Sequence, residues 1–399
     1  MARKSRKAEQ LKQEIISSVP AEQRKMITQP VTFAYLKGEM SMMQTRIQTI
    51  IMEKLQEKIK KAFDRKIVQG FFGDLFDSDD YKPINEGGRT KYLTFSVQYA
   101  ELGIEPQHYN DVDRAAKAMQ SIIYEKKIEG YNRNIVVFDV VDIPDKTKGE
   151  RHTDIKLHMT EDVAKDLLKI IPYQQYLKDA IFLFSSNYAG RIYLLINANK
   201  ELGTWVCPYE KLRKILLTAY DEKTKTATVD KYRDINDFKK RVLEPARKEI
   251  LEAADRVDCT FDYEFQYPEG KKRGTPEAII FHIHLTDMGR NIRQRQLENH
   301  EIVKLREELL SMHFTIAEAN SMIRQMKEHL QEFIEKVKEQ KTLHEEAVAG
   351  HRPDINDPKA YILTALRNFI IEKTTGNTPQ PLTLATPPEE NFSDYVKDW

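Results

Sequence analysis

From Met40 to Lys66 the apolar residues Met43, Ile47, Ile50, Ile51, Leu55, Ile59 and Phe63 recur every three or four positions. That spacing places them along one face of a long amphipathic helix. A polar, turn-rich segment, DSDDYKPINEGGR, leads to a short alternating run, KYLTFSVQ at 91–98, which predicts a strand. A short helix near YAELGI follows. A second amphipathic helix is expected over 110–127, with Val112, Ala115, Ala116, Met119, Ile122 and Ile123 on its buried stripe. The period then changes: IVVFDVVDI at 135–143 and DIKLHM at 154–159 read as a hairpin around the polar segment PDKTKGERHT.

The same order then recurs. After a linking helix near 161–170 and a break at Pro172 come a helix over 187–199, the short strand TWVCP and the helix YEKLRKILL. A polar loop, DEKTKTATVDKYRD, precedes a helix over 235–254, and CTFDYEFQY and AIIFHIHL form two strands around PEGKKRGTP. Two copies of one helix, strand, helix, helix, hairpin unit imply two similar domains. Beyond Asp287 two more amphipathic helices are expected, the second opened by a capping box from Thr315 to Glu318. Met322, Ile323, Met326, Leu330, Phe333, Ile334 and Val337 form its stripe, which reads as one side of an intramolecular helix pair ahead of a groove for a partner. Pro358 suits the first turn of a last short helix, and TTGNTPQPLTLATPPEENFSD reads as a flexible tail.

The expected fold class is therefore α+β, mainly helical: two tandem winged-helix domains followed by a C-terminal helical extension. Residues 1–30 form a basic N-terminal arm, 31–165 the first domain, 166–288 the second, 289–345 the extension, and 346–399 a short helix with a flexible acidic tail.

Charge changes this picture only through its distribution. The 399 residues carry 63 Lys and Arg against 62 Asp and Glu, a formal +1. Within residues 1–66, however, basic side chains outnumber acidic ones fifteen to seven, whereas in 344–399 acidic outnumber basic nine to five. This polarity favours a polyanion near the front of the chain. Cys207 and Cys259 are the two cysteines, too few for a disulfide framework or a zinc site, which fits a reducing cytosol. The basic opening MARKSRKAEQLKQE is followed by no apolar stretch of signal-peptide type, and charges interrupt every apolar run, so a cytoplasmic protein without membrane partners is expected.

A helix-turn-helix module places its second helix in the major groove, and a hairpin wing adds backbone contacts. Residues 231–248, KYRDINDFKKRVLEPARK, suit that role, with seven cations against three carboxylates. On a helical wheel Ile235, Phe238, Val242, Leu243, Ala246 and Ile250 share one face, while Lys240, Arg241, Arg247 and Lys248 project away from it. Lys239 lies at the apolar margin, and Lys231 and Arg233 precede the helix. Pro245 is expected to kink it. Lys271, Lys272 and Arg273, between Gly270 and Gly274, would form a basic wing tip. In the first unit the corresponding helix projects Arg114, Lys117, Ser121 and Tyr124, and the tip residues Lys146, Lys148 and Arg151 could meet phosphate. The bland alternative is that these cations only solvate exposed faces, and the pairing of a basic helix with a basic wing in one unit weighs against it.

From Thr32 to Leu285 the chain resembles the initiator replication proteins of iteron plasmids, the Rep_3 family. The specific stretches are SNYAGRIYLLINANKELGTWVCPYEKLRKIL, then YRDINDFKKRVLEPARKEI, then the hairpin ending in IIFHIHL. The family's Arg-x-Tyr is matched by Arg191 and Tyr193. Its reading-helix pattern is matched by Asp237, Phe238, Lys239, Arg241, Val242, Leu243, Pro245, Ala246, Lys248, Glu249 and Ile250. The resemblance implies a plasmid replication initiator whose second unit is the main reader of repeated duplex sites, the iterons. It implies that the first unit supplies weaker contacts and dimerisation. It further implies origin opening with a host initiator and replicative helicase, and repression of its own promoter as a dimer. Two departures stand out: a longer loop before the reading helix, and the helical extension from about 291 to 342. DPKAYILTALRNFI, at 357–370, loosely resembles segments of other replication proteins that contact the replication machinery.

His282-Ile283-His284 has the alternation of a metal-binding strand in a rolling-circle nicking enzyme, with Tyr361 or Tyr395 as the nucleophile. Phe281, Ile283 and Leu285 alternate with the histidines, so a wing strand with an apolar core face and outward histidines is the simpler reading. No Gly-x-x-x-x-Gly-Lys occurs, so no helicase motor is expected. Trp205 reads as core packing or packing at the base of the wing. The expectation is a DNA-binding protein without turnover, metal or cofactor. A purely transcriptional repressor or partition protein is the alternative, and a metal-dependent nicking enzyme the enzymatic one.

Overall fold

The computed structural model describes residues 25–69, 74–145, 154–169, 172–221, 223–271, 273–355 and 357–375. The fold is α+β and mainly helical. The chain divides into two compact units, one ending at Asn291 and the other beginning at Ile292.

The first unit opens with β1 (Met26–Pro30) and α1 (Met42–Gln69). Next come β2 (Tyr92–Gln98), α2 (Tyr109–Ala118), β3 (Ile123–Ile128), β4 (Tyr131–Val136), β5 (Val140–Asp142), β6 (Asp154–Thr160) and α3 (Glu161–Leu167). It continues with β7 (Tyr173–Leu177), α4 (Lys178–Leu183), α5 (Asn187–Asn199), β8 (Thr204–Pro208) and α6 (Tyr209–Leu217). Then follow β9 (Ala219–Asp221), β10 (Thr226–Thr228) and helix α7, built of the segments Ile235–Phe238, Lys239–Leu243 and Glu244–Glu252. Strands β11 (Cys259–Gln266) and β12 (Ala278–Leu285) close the unit.

The two halves of this unit share a sheet topology. β2 pairs with β6 and β6 with β5; β8 pairs with β12 and β12 with β11, all antiparallel. In each half the strand after the first helix joins the last strand of the hairpin. Apolar alternation explains the sheets: Leu93, Phe95 and Val97 face the core from β2, and Ile279, Phe281 and Ile283 from β12. Trp205 stacks on Phe281 with ring centroids 5.0 Å apart, at the base of the second hairpin as expected.

Four local expectations need correction. The polar loop expected over 221–234 holds β10, which pairs antiparallel with β9. The helix expected over 110–127 ends at Ala118, passes through a 3-10 turn over Met119–Ser121, and gives way to strand β3. Ile122 and Ile123 fit a helical stripe, but the chain turns back at Glu129-Gly130 (φ 49° and 85°), and IYEKKI and YNRNIV pair antiparallel across that two-residue turn. Strand β1, placed in the N-terminal arm, pairs with β7, whose residues follow Pro172. Finally, α1 is not half-solvated at its start: Gln44, Thr45, Gln48 and Thr49 are as buried as Ile47 and Ile50. Thr49 Oγ1 donates to the Thr45 carbonyl at 2.9 Å and Gln48 Nε2 to the Phe33 carbonyl at 3.3 Å, while Gln44 Nε2 and Gln48 Oε1 are buried without a partner among the described residues.

The second unit contains the body of α8 (Asp287–Ser311), then α9 (Ile316–Gln325), α10 (Leu330–Val348) and α11 (Pro358–Thr375). The capping box is present: Glu318 N–H donates to Thr315 Oγ1 at 3.2 Å, and Thr315 N–H to Glu318 Oε2 at 2.8 Å. The single stripe expected from 322 to 337 is divided between α9 and α10 by a 3-10 turn at Lys327–His329. Met322, Ile323, Met326, Phe333 and Val337 share one core with Leu305, Leu309, Ile362, Leu366 and Ile370, so the stripe is covered within the chain. The last helix, expected to be short, runs for 18 residues. The tail expected beyond it lies outside the described residues, apart from Thr374 and Thr375 at the end of α11. Among the described residues no helix is long and apolar enough to cross a membrane.

Candidate nucleic-acid interface

Helix α7 begins at Asp234, whose carboxylate accepts from the backbone N–H groups of Asn236 at 2.8 Å and Asp237 at 3.4 Å. Phe238, Val242, Leu243, Ala246 and Ile250 are fully buried, so the expected apolar face seats the helix on the core. Pro245 lies within the helix rather than ending it. The preceding segment Lys239–Leu243 is a π turn, which widens the helix where the proline lacks an N–H and its ring would crowd the carbonyl four residues earlier. The widened turn carries Lys239, Lys240 and Arg241, all exposed, so Lys239 is not at the apolar margin. Among the described residues none of the three makes an ion pair or side-chain hydrogen bond.

The remaining cations of this segment are engaged. Arg247 Nε donates to Asp262 Oδ1 at 2.7 Å and its NH2 group lies 2.6 Å from the same oxygen, so it struts α7 against β11. The Asp262 carboxylate raises the Arg247 pKa above its ordinary value. Next to it Tyr263 Oη donates to Glu244 Oε1 at 2.6 Å, and burial together with that carboxylate pushes the phenol pKa upward. Lys248 lies 3.8 Å from Glu252, Arg233 pairs with Asp230 at 2.8 Å, and Lys231 Nζ is 2.6 Å from Glu39. At the hairpin tip Lys271 and Arg273 are exposed between Gly270 and Gly274, both at positive φ, and Lys272 lies outside the described residues.

In the first half Arg114 is exposed and ion-paired with Asp111, while Lys117 is exposed. Ser121 ends the 3-10 turn and Tyr124 lies in β3, donating to Asp166 at 3.1 Å, so neither projects from the helix as expected. Lys146, Lys148 and Arg151 lie outside the described residues.

His282 and His284 point outward from β12 as alternation requires, with imidazoles 3.4 Å from Glu264 and 3.7 Å from Asp262. Tyr361 is exposed on α11, and Tyr395 lies outside the described residues.

The Arg191-x-Tyr193 motif is internal. Arg191 is buried, donating to the Leu36 carbonyl at 2.5 Å and contacting Met40 Sδ at 2.6 Å. Burial lowers its pKa to about 10, so it stays charged at neutral pH. Tyr193 Oη donates to Asp258, whose second oxygen is 2.6 Å from Lys200 Nζ. These residues hold α5 to the segment before α1 and to the start of β11.

The contribution of residues 34–40 escaped the sequence pattern. Gly38 N–H donates to the Ile215 carbonyl at 3.2 Å and Glu39 N–H to Thr218 at 3.1 Å, tying this strap to the end of α6. No periodicity marks it; only distant partners reveal it.

Residues 219–283 match the Rep3_C family model, described as initiator Rep protein, WH2. The match runs from the start of β9 through α7 into β12 and includes every exposed cation of α7 and the wing tip. No curated protein matches the chain.

Proposed function

We propose that this protein is a plasmid replication initiator of the Rep_3 type that binds direct repeats in duplex DNA at a plasmid origin, a reading supported by the match of residues 219–283 to the Rep3_C model. The matched domain is the main reader. The carrying observation is the π turn of α7, which displays Lys239, Lys240 and Arg241 without local carboxylate partners, opposite the buried Phe238 and Val242. Unpaired cations on a helix face are free to meet phosphate and base edges, whereas cations already ion-paired must first give up a partner.

The shared strand order of the two halves supports reading the first half as a second winged helix that adds weaker contacts and dimerisation. Bound repeats would then be opened with a host initiator and replicative helicase in the bacterial cytoplasm. The dimer would repress the protein's own promoter, and no catalytic turnover is involved.

Arg241 is assigned to a base edge, because its guanidinium fork matches guanine O6 and N7 together. Arg241→Ala should weaken binding to the repeat by about 1–3 kcal/mol and spare non-specific duplex. Lys271→Ala with Arg273→Ala should weaken both duplexes alike and flatten the salt dependence by about 0.9 for each phosphate no longer neutralised. Titrations of repeat and scrambled duplexes at several salt concentrations test this; equal weakening on both duplexes for Arg241→Ala would remove the base-reading assignment.

A further inference from the structure

The ribbon β3–β4 projects from the first unit with little to hold it. From Glu129 to Asn134 every residue is exposed, and Tyr131 is 76% exposed. An isolated two-stranded ribbon is marginal in water, and the outer half of this one buries nothing that would stabilise the core. Its cross-strand pairs are also unusual. Lys126 stands directly opposite Arg133, and like charges in that position repel. Asp166 neutralises Lys126 through an ion pair, which leaves Arg133 without a counter-charge among the described residues. Tyr131, opposite Ile128, lies on the same face as Arg133. Lys127, Asn132 and Asn134 occupy the other face, their side chains without hydrogen-bond partners among the described residues.

The root of the ribbon is anchored beside the helix-turn-helix of the matched domain. Lys37 N–H donates to the Ile123 carbonyl at 2.8 Å, and Ile123 N–H donates back at 3.0 Å. The next two residues of that strap, Gly38 and Glu39, bond to the carbonyls of Ile215 and Thr218 at the end of α6, and the Glu39 carboxylate holds Lys231 just before α7. Glu125 pairs with Lys37 at 2.7 Å. In a helix-turn-helix the helix before the reading helix crosses the DNA backbone, so a ribbon rooted at its end starts close to phosphates.

We propose that the β3–β4 ribbon is a further duplex-DNA contact, lying in the groove beside the one occupied by α7, with Arg133 and Lys127 on phosphates and Tyr131, Asn132 and Asn134 against the groove wall. The major groove, about 12 Å wide, admits a two-stranded ribbon. The proposal rests on the initiator reading, and it places a contact outside the segment that the family match covers.

The test uses the full chain and duplexes of about 40 base pairs, a length spanning several helical turns, enriched from a random-sequence pool by the wild-type protein. Tyr131→Ala with Arg133→Ala, two exposed positions, should bind these duplexes about tenfold more weakly and lose hydroxyl-radical protection on one flank of the site. Both proteins should bind equally to a duplex trimmed of that flank. Arg133→Lys in place of Arg133→Ala should restore the salt slope, since a phosphate contact needs only the charge. Unchanged affinity and footprint on the long duplex would overturn the proposal. So would a weakening confined to single-stranded oligonucleotides, which would make the ribbon a strand-binding element. If the wild type enriched no duplex, the initiator reading would fail and this proposal with it; enrichment followed by an unaltered variant footprint would sink the ribbon alone.

Discussion

Gly289 has no room for a side chain. A β-carbon there would lie 1.8 Å from the Asp258 carbonyl oxygen, a backbone atom that cannot rotate away. That carbonyl already accepts from Thr286 N–H at 3.1 Å, and Asp258 is the buried acid shared by Tyr193 and Lys200. Gly289→Ala should therefore push the first turn of α8 off the start of β11 and cost about 3 kcal/mol, at the upper end for overpacking. Thermal melting reads this directly; an unchanged midpoint would mean that the first turn of α8 can shift at no cost. At the same scale, the difference between Arg241 and Arg247 could not be read from a wheel that placed both outward. Asp262 claims Arg247, and only the pairing of α7 with β11 brings them together.

Among the elements, the β1–β7 pair shows how a short strand far from its partner in sequence is held. Five residue pairs join Met26–Pro30 to Tyr173–Leu177, and Gln56 in α1 bonds to both main-chain groups of Thr28. Glu53 in α1 sits between Lys25 and Lys178, at 2.7 and 2.8 Å, clamping residues beside both strands. Burial pushes the Glu53 pKa up, but the two ammonium groups outweigh it and hold the carboxyl below its ordinary 4.5. A carboxylate with a depressed folded pKa stabilises the fold fully above its unfolded pKa and loses that contribution as pH falls through the folded value. The stability gap between wild type and Glu53→Gln should thus be constant above pH 4.5 and shrink below it. Urea titrations across that range measure the gap, and one that stayed constant down to acid pH would rule out the clamp.

For the molecule as a whole, two compact units imply two separable responses to core damage. Leu366 is fully buried among Leu309, Phe333 and Ile370 in the second unit. Leu366→Ala should cost that unit about 2–5 kcal/mol. Hydrogen exchange should then rise across residues 305–370 and stay unchanged across 187–285, with DNA affinity preserved. Exchange rising equally in both ranges would show one cooperative block instead. The sequence by itself determined the repeated order of the main elements, helices α5 and α6 and strands β8, β11 and β12 nearly to the residue, the basic helix α7 and the family resemblance, but not the short elements β7, α4, β9 and β10. It could do so because apolar periodicity, caps and glycine turns are local signals. Three features were decided only by tertiary structure: the β3–β4 ribbon, whose isoleucines fit either period; the strand Met26–Pro30, which needs a partner some 147 residues away; and which cations remain unpaired. Periodicity says which way a side chain points along its own element, but a strand partner or a counter-charge lies on another element, and only folding brings the two within reach.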